Sequence, residues 1–224
     1  MKPRDLIATA KIPGNDVEMR CYHHDGAYEV WVDNNPLMSS RIYGSEEVLA
    51  ELALDRLGRR KAPRVLIGGL GMGYTLARTL ALVPEGAEVH VAELIPEIVE
   101  WNREVFGHCA GRPLDDPRVR VIEGDVREVV AGADEGTYDV VLLDVDNGPQ
   151  GLSRAANNQL YTRPGLKQLR SALNQGGVLG VWSAADDGAF DARLRKGRYQ
   201  VRIHHVKARR TKGPRRTIWV AMAT

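Results

Sequence analysis

Eight residues of this chain have the types and spacing to do chemistry around a nucleoside. Gly69, Gly71 and Gly73 fall within "RVLIGGLGMGYTL", Arg64 to Leu76, where an apolar run meets glycines and then returns at once to helix-forming residues. So bare a turn lets backbone N–H groups approach a ligand, and the helix N-terminus adds its partial positive charge. A phosphate, a pyrophosphate or the carboxylate of an amino acid suits such a place. The dinucleotide fingerprint wants a further glycine three residues after the second, and here Tyr74 stands there. Glu93 closes the next apolar run, where an acid accepts hydrogen bonds from both ribose hydroxyls. Asp125, in "EGDV", is placed to take an adenine amino group, to cap the following helix, or both. Asp144 opens "DVDNGP", and a carboxylate there can hold a cation or take its proton; a plain polar turn is the alternative. Asp146 and Asn147 would shape the same rim.

These residues need a scaffold that brings strand ends together. Strands are expected at Arg64–Gly68, Glu88–Glu93, Val119–Glu123, Tyr138–Asp144 and Gly177–Trp182, with helices at Tyr74–Leu82, Pro96–Phe106, Val126–Ala131 and Pro164–Leu173. Runs such as "VLIGG" and "VVLLD" are apolar at consecutive positions, as a parallel sheet covered on both faces requires. The alternation predicts right-handed βαβ units in a doubly wound α/β fold. After a short helix near Ala189–Lys196, "YQVRIHHV" and "TIWVAMA" follow with no helix between them, so the last strand is expected to run antiparallel. That arrangement resembles the class I methyltransferases.

Residues 1–44 read as a small antiparallel β-hairpin unit: "LIATAKI", "VEMRCY" and "YEVWV" are short strands broken by turn residues. The region 45–224 is the α/β domain, entered by a linking helix over 45–60 with Ser45 as its expected N-cap and glutamates in its first turn. Tyr161, in "LYT", is expected at the Asp144 opening or packed, and Trp182, ending the fifth strand, faces either cleft or core. Trp101 is expected in the core.

Composition narrows the classes of function. A chain of 224 residues with formal charge +2 has enough length for a proper core and too little charge to indicate nucleic acid. Residues His204–Arg216 carry six Lys or Arg, read as a solvated loop because no aromatic platform interleaves them. Cys21 and Cys109 have no paired ligand spacing, and His23–His24 lacks a third ligand, so no metal is expected. Neither a membrane span nor a signal-peptide core stands out, and the expectation is a cytoplasmic protein.

The blocks "VLIGGLGMGYTLARTL", "VAELIPEIVEWNREVF", "DPRVRVIEGDVREVV", "YDVVLLDVDNGPQG" and "LYTRPGLKQLRSALNQGGVLGVW" resemble the spermidine synthase-like, or aminopropyltransferase, branch of the class I methyltransferase superfamily. The resemblance runs from about Arg64 to Trp182 and is weak over the N-terminal hairpins. It implies S-adenosylmethionine (SAM) or decarboxylated SAM as cofactor, a small-molecule acceptor, and a homodimer through the N-terminal strands. It also implies a role for Asp144, which matches the first aspartate of the branch's D-x-x-D-P signature and would assist deprotonation of the attacking amine.

Three departures bear on the reaction. Gly71 stands where the synthases carry an aspartate for the amino group of the cofactor tail. Asp146 is one residue short of the second signature aspartate. The branch's Tyr-His-Glu has only Tyr43, Glu46 and Glu47 nearby. Methyl transfer to a small, amine-type acceptor is therefore the leading expectation, with the SAM carboxylate met by loop N–H groups at the helix start. Aminopropyl transfer is the alternative, and non-catalytic nucleoside binding a third reading.

Overall fold

The computed structural model describes residues 4–13, 17–145 and 159–224. Five strands build the parallel part of a seven-stranded sheet: β5 (Arg64–Gly68), β6 (Glu88–Glu93), β7 (Val119–Glu123), β8 (Tyr138–Leu143) and β9 (Leu173–Ser183). The last two, β10 (Tyr199–Lys207) and β11 (Arg215–Ala223), complete the order β10-β11-β9-β8-β5-β6-β7. β11 is inserted between β9 and β10 and runs antiparallel to both. Strands β5 to β9 pair in parallel, with β7 at the sheet edge.

Helices cover both faces of this sheet. On one side lie α1 (Gly44–Leu57), α2 (Tyr74–Leu82) and α3 (Pro96–Glu104), which share a core with the inward residues of β5, β6 and β8. On the other lie α4 (Val126–Ala131), α5 (Arg163–Ala172) and α6 (Gly188–Lys196). The alternate residues of β8 show the division: Val140 and Leu142 join the first core, Val141 and Leu143 the second. That two-sided burial is why the strand reads as an unbroken apolar run.

The N-terminal unit has four strands where three are expected: β1 (Asp5–Lys11), β2 (Glu18–His24), β3 (Ala27–Val32) and β4 (Asn35–Ser39), paired antiparallel in that order. The fourth is short, sits at the sheet edge and contains Pro36, which falls opposite Trp31 where the register shifts. A proline lacks the donor that an inner strand needs, so an edge beside a bulge can accommodate it.

Ser45 is not the cap of α1. Tyr43 holds the N-cap position without a side-chain bond, while Ser45 is buried and its backbone N–H donates to the Ala208 carbonyl at 3.3 Å. Thus the helix start is satisfied by backbone of the β10–β11 loop. That loop is not simply solvated either, because Arg210 reaches back to α1 and pairs with Glu47 at 2.9 Å and Glu51 at 2.6 Å.

The two sheets are joined through Tyr74. Its ring stacks on Tyr43 with centroids 4.1 Å apart, and its hydroxyl donates to the Ser40 carbonyl at 3.0 Å. The residue standing in place of the fingerprint's last glycine therefore fastens the N-terminal unit to the glycine loop. Trp101 is buried against Phe106 in the first core, as its position on α3 leads one to expect. Among the described residues no helix is long and apolar enough to cross a membrane.

Candidate active site

The carboxyl ends of the parallel strands are stitched edge to edge by backbone. Asp144 N–H donates to the Gly68 carbonyl, Gly69 N–H to Ala92, and Gly124 N–H to Glu93, all at 2.8–2.9 Å. This continuation of the ladder fixes a row along the sheet edge: Asp125 after β7, Glu93 at β6, the glycine turn after β5, Asp144 after β8, Trp182 near the end of β9. Neighbouring strands lie roughly 4.8 Å apart, so the row from Asp125 to Asp144 spans about 14 Å, the length of a nucleoside with a short tail.

A cleft runs along this row. Its floor includes Gly69, Gly71, Glu93, Asp125, Asp144 and Trp182, and its roof is the N-terminal sheet, through Ile12, Met19, Val32, Leu37 and Met38. Glu46, from the first turn of α1, enters from the side. Such a crevice at the carboxyl edge is where open α/β sheets bind ligands.

The glycines have three different jobs. At Gly69 the backbone has φ +88°, and a Cβ would stand 2.5 Å from the Asp144 carbonyl, so this glycine permits two strand ends to close up. Gly71, at φ +53°, faces the cleft: a Cβ there would meet only the Met38 sulfur, at 3.8 Å. Gly73, expected with the other two at the ligand, is instead turned toward Asn102 and Pro113 and is absent from the cleft lining.

Glu93 organises the turn. One oxygen accepts from Leu70 N–H at 2.8 Å and the other from Ile95 N–H at 2.9 Å, with the N–H groups of Leu94 and Gly71 also directed to it. Burial pushes its pKa above the ordinary carboxylate value, and these four N–H groups oppose that rise. Within the turn, the Gly69, Leu70 and Gly73 N–H groups donate to the Ala92 carbonyl, the Glu93 carboxylate and the Leu70 carbonyl respectively.

Asp125 caps a helix and lines the cleft. Its side chain accepts from Arg127 N–H at 2.8 Å as the N-cap of α4 and pairs with the Arg127 guanidinium at 2.7 Å, while the residue lines the cleft. Trp182 is a cleft residue with Arg216 5.5 Å from its ring centroid. Tyr161, by contrast, is buried edge-on against Phe190 in the second core and is not among the cleft residues. Asp146 and Asn147 lie outside the described residues.

Asp144 follows β8 on the floor of the cleft. Burial pushes its pKa up to about 6, partly opposed by the Thr75 hydroxyl, which donates to Oδ2 at 2.8 Å. Burial likewise holds Glu46 well above the usual carboxylate range, reinforced by the charges of Asp144 and Glu47 and opposed by Arg216. The sequence offered Glu46 only beside Tyr43 and Glu47, as a nearby substitute for the branch's Tyr-His-Glu; of the three, Glu46 alone lines the cleft. Helical geometry held the signal: Glu47 and Glu51 are four apart and share the Arg210 face, whereas Glu46 is turned about 100° away. Two carboxylates that resist ionisation together favour a cation between them.

The strand order, the inserted antiparallel β11 and a ligand-sized crevice on the carboxyl edge define the class I methyltransferase-like fold. Within it, the chain belongs to the spermine/spermidine synthase domain family, whose model matches residues 44–184. A putrescine N-methyltransferase 1 from Nicotiana tabacum is 31% identical over 133 residues, 59% of this chain and 33% of that protein. Spermidine synthase 2 from Arabidopsis thaliana is 30% identical over 134 residues, 60% of this chain and 37% of the relative. The chain thus spans about a third of the length of these curated relatives. The solved spermidine synthase from Thermotoga maritima shares the fold, with a TM-score of 0.76 at 19% identity over 98% of this chain and 73% of that one.

Proposed function

We propose that this cleft binds SAM and directs its methyl group to an amine. The observation that carries the reading is the row itself: Asp125, Glu93, the bare Gly71 and Asp144 follow one another on adjacent strand ends over about 14 Å. Asp125 would meet the adenine amino group and Glu93 the ribose hydroxyls, from the strand ends where open α/β sheets bind ligands. The sulfonium supplies an alkyl group already activated for displacement, so positioning and dryness are most of what the protein adds.

Asp144 is the base in this reading. Thr75 fixes Oδ2, leaving Oδ1 to accept the proton of the attacking nitrogen. Its raised pKa, about 6, is better matched to an amine at neutral pH than that of a solvated carboxylate. The apolar roof would exclude water from the line of attack.

Gly71 favours methyl over aminopropyl transfer. An aminopropyl tail ends in an ammonium, and the turn after β5 offers it no carboxylate. Family membership and a spermidine synthase relative support aminopropyl transfer as the second reading. Calorimetry with SAM, decarboxylated SAM and methylthioadenosine separates them, with product mass spectrometry to identify the group moved. SAM is expected to bind at least as tightly as its decarboxylated form. A tenfold preference for the latter, about 1.4 kcal/mol, reverses the order of the two reactions. Absence of binding by all three removes the nucleoside reading altogether.

A further inference from the structure

A second concave surface lies apart from the cleft, on the face of the sheet that α5 and α6 cover. It is a groove between these two helices, and its charged lining is cationic among the described residues. Arg163, Lys167 and Arg170 come from α5, and Arg193, Lys196 and Arg198 from α6 and the turn after it. Helical periodicity makes the α5 wall, because positions 163, 167 and 170 are four and three residues apart and share one face.

The cations of α6 lie in its last turn, where the helix dipole favours them. Those of α5 have no such reason. Like charges spaced i, i+4 and i, i+3 destabilise a helix. Arg163 also opens α5 at the positive end of its dipole, where an acid would be favoured, and the first turn holds none. Arg198 stands at φ +63°, a backbone conformation that glycine adopts freely and other residues at a cost.

Neutralisation from within the fold is partial. Arg193 lies 3.7 Å from Asp187 and donates to the Tyr161 carbonyl at 2.9 Å, and Arg170 donates to the main-chain oxygen of Thr224 at 3.5 Å. Asp191 is taken by Arg195 at 3.0 Å. Arg163, Lys167, Lys196 and Arg198 enter no ion pair among the described residues. Residues 1–3, 14–16 and 146–158 bring two acids, Asp16 and Asp146, and two bases, Lys2 and Arg154, so they leave the sum of charge unchanged.

We propose that the groove between α5 and α6 binds a short phosphate chain, either the triphosphate of a nucleotide or inorganic tripolyphosphate, on its four guanidinium and two ammonium groups. Guanidinium forks take phosphate oxygens two at a time, and lysines add point charges. The α5 cations extend over about 10 Å of helix, which fits several linked phosphates better than one. Their gathering in one groove favours a compact polyanion over a nucleic-acid strand, which is tracked by a longer run of charge.

Calorimetry on the full chain at low ionic strength tests this with inorganic phosphate, tripolyphosphate, cytidine triphosphate and a single-stranded oligouridylate. The pyrimidine nucleotide keeps an adenine probe out of the nucleoside cleft. The tighter-binding triphosphate is expected to exceed inorganic phosphate at least tenfold. Lys167→Ala combined with Lys196→Ala should weaken it at least tenfold. Lys207→Ala combined with Lys212→Ala, which removes the same charge from the β10–β11 hairpin, should change it less than twofold. Tighter binding of cytidine triphosphate identifies a nucleotide as the ligand, and equal or tighter binding of tripolyphosphate identifies the phosphate chain alone; both support the site. Discrimination below tenfold, equal losses in the two double variants, or tighter binding of the oligouridylate overturns it. Should a variant not fold, the comparison of the four probes on the parent still decides.

Discussion

Replacing Asp144 by Asn is expected to stabilise the protein while disabling it. The carboxyl is moved from an ordinary value of 3.8 to about 6 by burial, a shift of about two units. At 1.36 kcal/mol per unit, keeping it ionised in the folded state costs up to about 3 kcal/mol, reduced by the water that reaches it through the cleft. The sign follows from proton counts. Between about pH 4 and pH 6 the folded protein holds a proton that the unfolded chain has released, so stability declines as pH rises through that window. Above it the full cost is present, and below pH 4 it vanishes. Asparagine keeps the shape and can accept the Thr75 hydroxyl, but carries no charge. Asp144→Asn should therefore melt several degrees higher at pH 8, corresponding to about 1–3 kcal/mol, with the difference shrinking toward zero at pH 4. In the same preparation turnover should fall by roughly 10²–10⁴, the range for a lost general base. The assay is a pair of melting series from pH 4 to pH 8 beside thioether-product formation on an acceptor found by an amine screen. A gain independent of pH, or a loss of stability at pH 8, refutes the buried-charge argument. Full turnover in the variant refutes base catalysis at this position.

Other outcomes follow from the same geometry. With acceptor saturating, log kcat should rise with unit slope up to about pH 6 and then level; a flat profile down to pH 5 is inconsistent with Asp144 as the base. Glu93→Gln, which disturbs both the turn and the ribose contact, should weaken SAM by about 1–3 kcal/mol in calorimetry. Unchanged affinity in the folded variant would sink the assignment. Gly69→Ala and Gly71→Ala both place a side chain at positive φ, at about 1–2 kcal/mol each. Only the first also drives a Cβ into the Asp144 carbonyl, so it should lower the melting temperature more, whereas the second should mainly lower SAM affinity. The reverse pattern in melting and titration contradicts the roles given to the two glycines.

The doubly wound sheet was legible because its strands are buried on both faces, which writes itself as runs like "VVLLD". The strand-end acids were legible for a related reason: each stands where an apolar run stops. What the sequence did not disclose depends on contacts between distant segments. Ser45 has the chemistry of a cap, but its N–H group is satisfied by Ala208, 163 positions away. Glu46 and Glu47 are the same residue type side by side; only Arg210 on a far loop decides which one is left for the cleft. Tyr161 is close in sequence to the rim and still packs on Phe190, because α5 and α6 converge there. Gly73 belongs to a ligand-like motif, and its backbone serves α2 and α3 instead.

The two walls of the cleft come from separable stretches of chain. The residues of the floor lie between 69 and 182, within the 44–184 segment that carries the family likeness, and those of the roof lie between 12 and 38, before it begins. The family model therefore covers the floor, while the roof is matched only at the level of the fold, by solved structures that cover 98% of the chain. Chains that share this floor can diverge in acceptor through a few substitutions in some forty N-terminal residues, leaving the cofactor site intact.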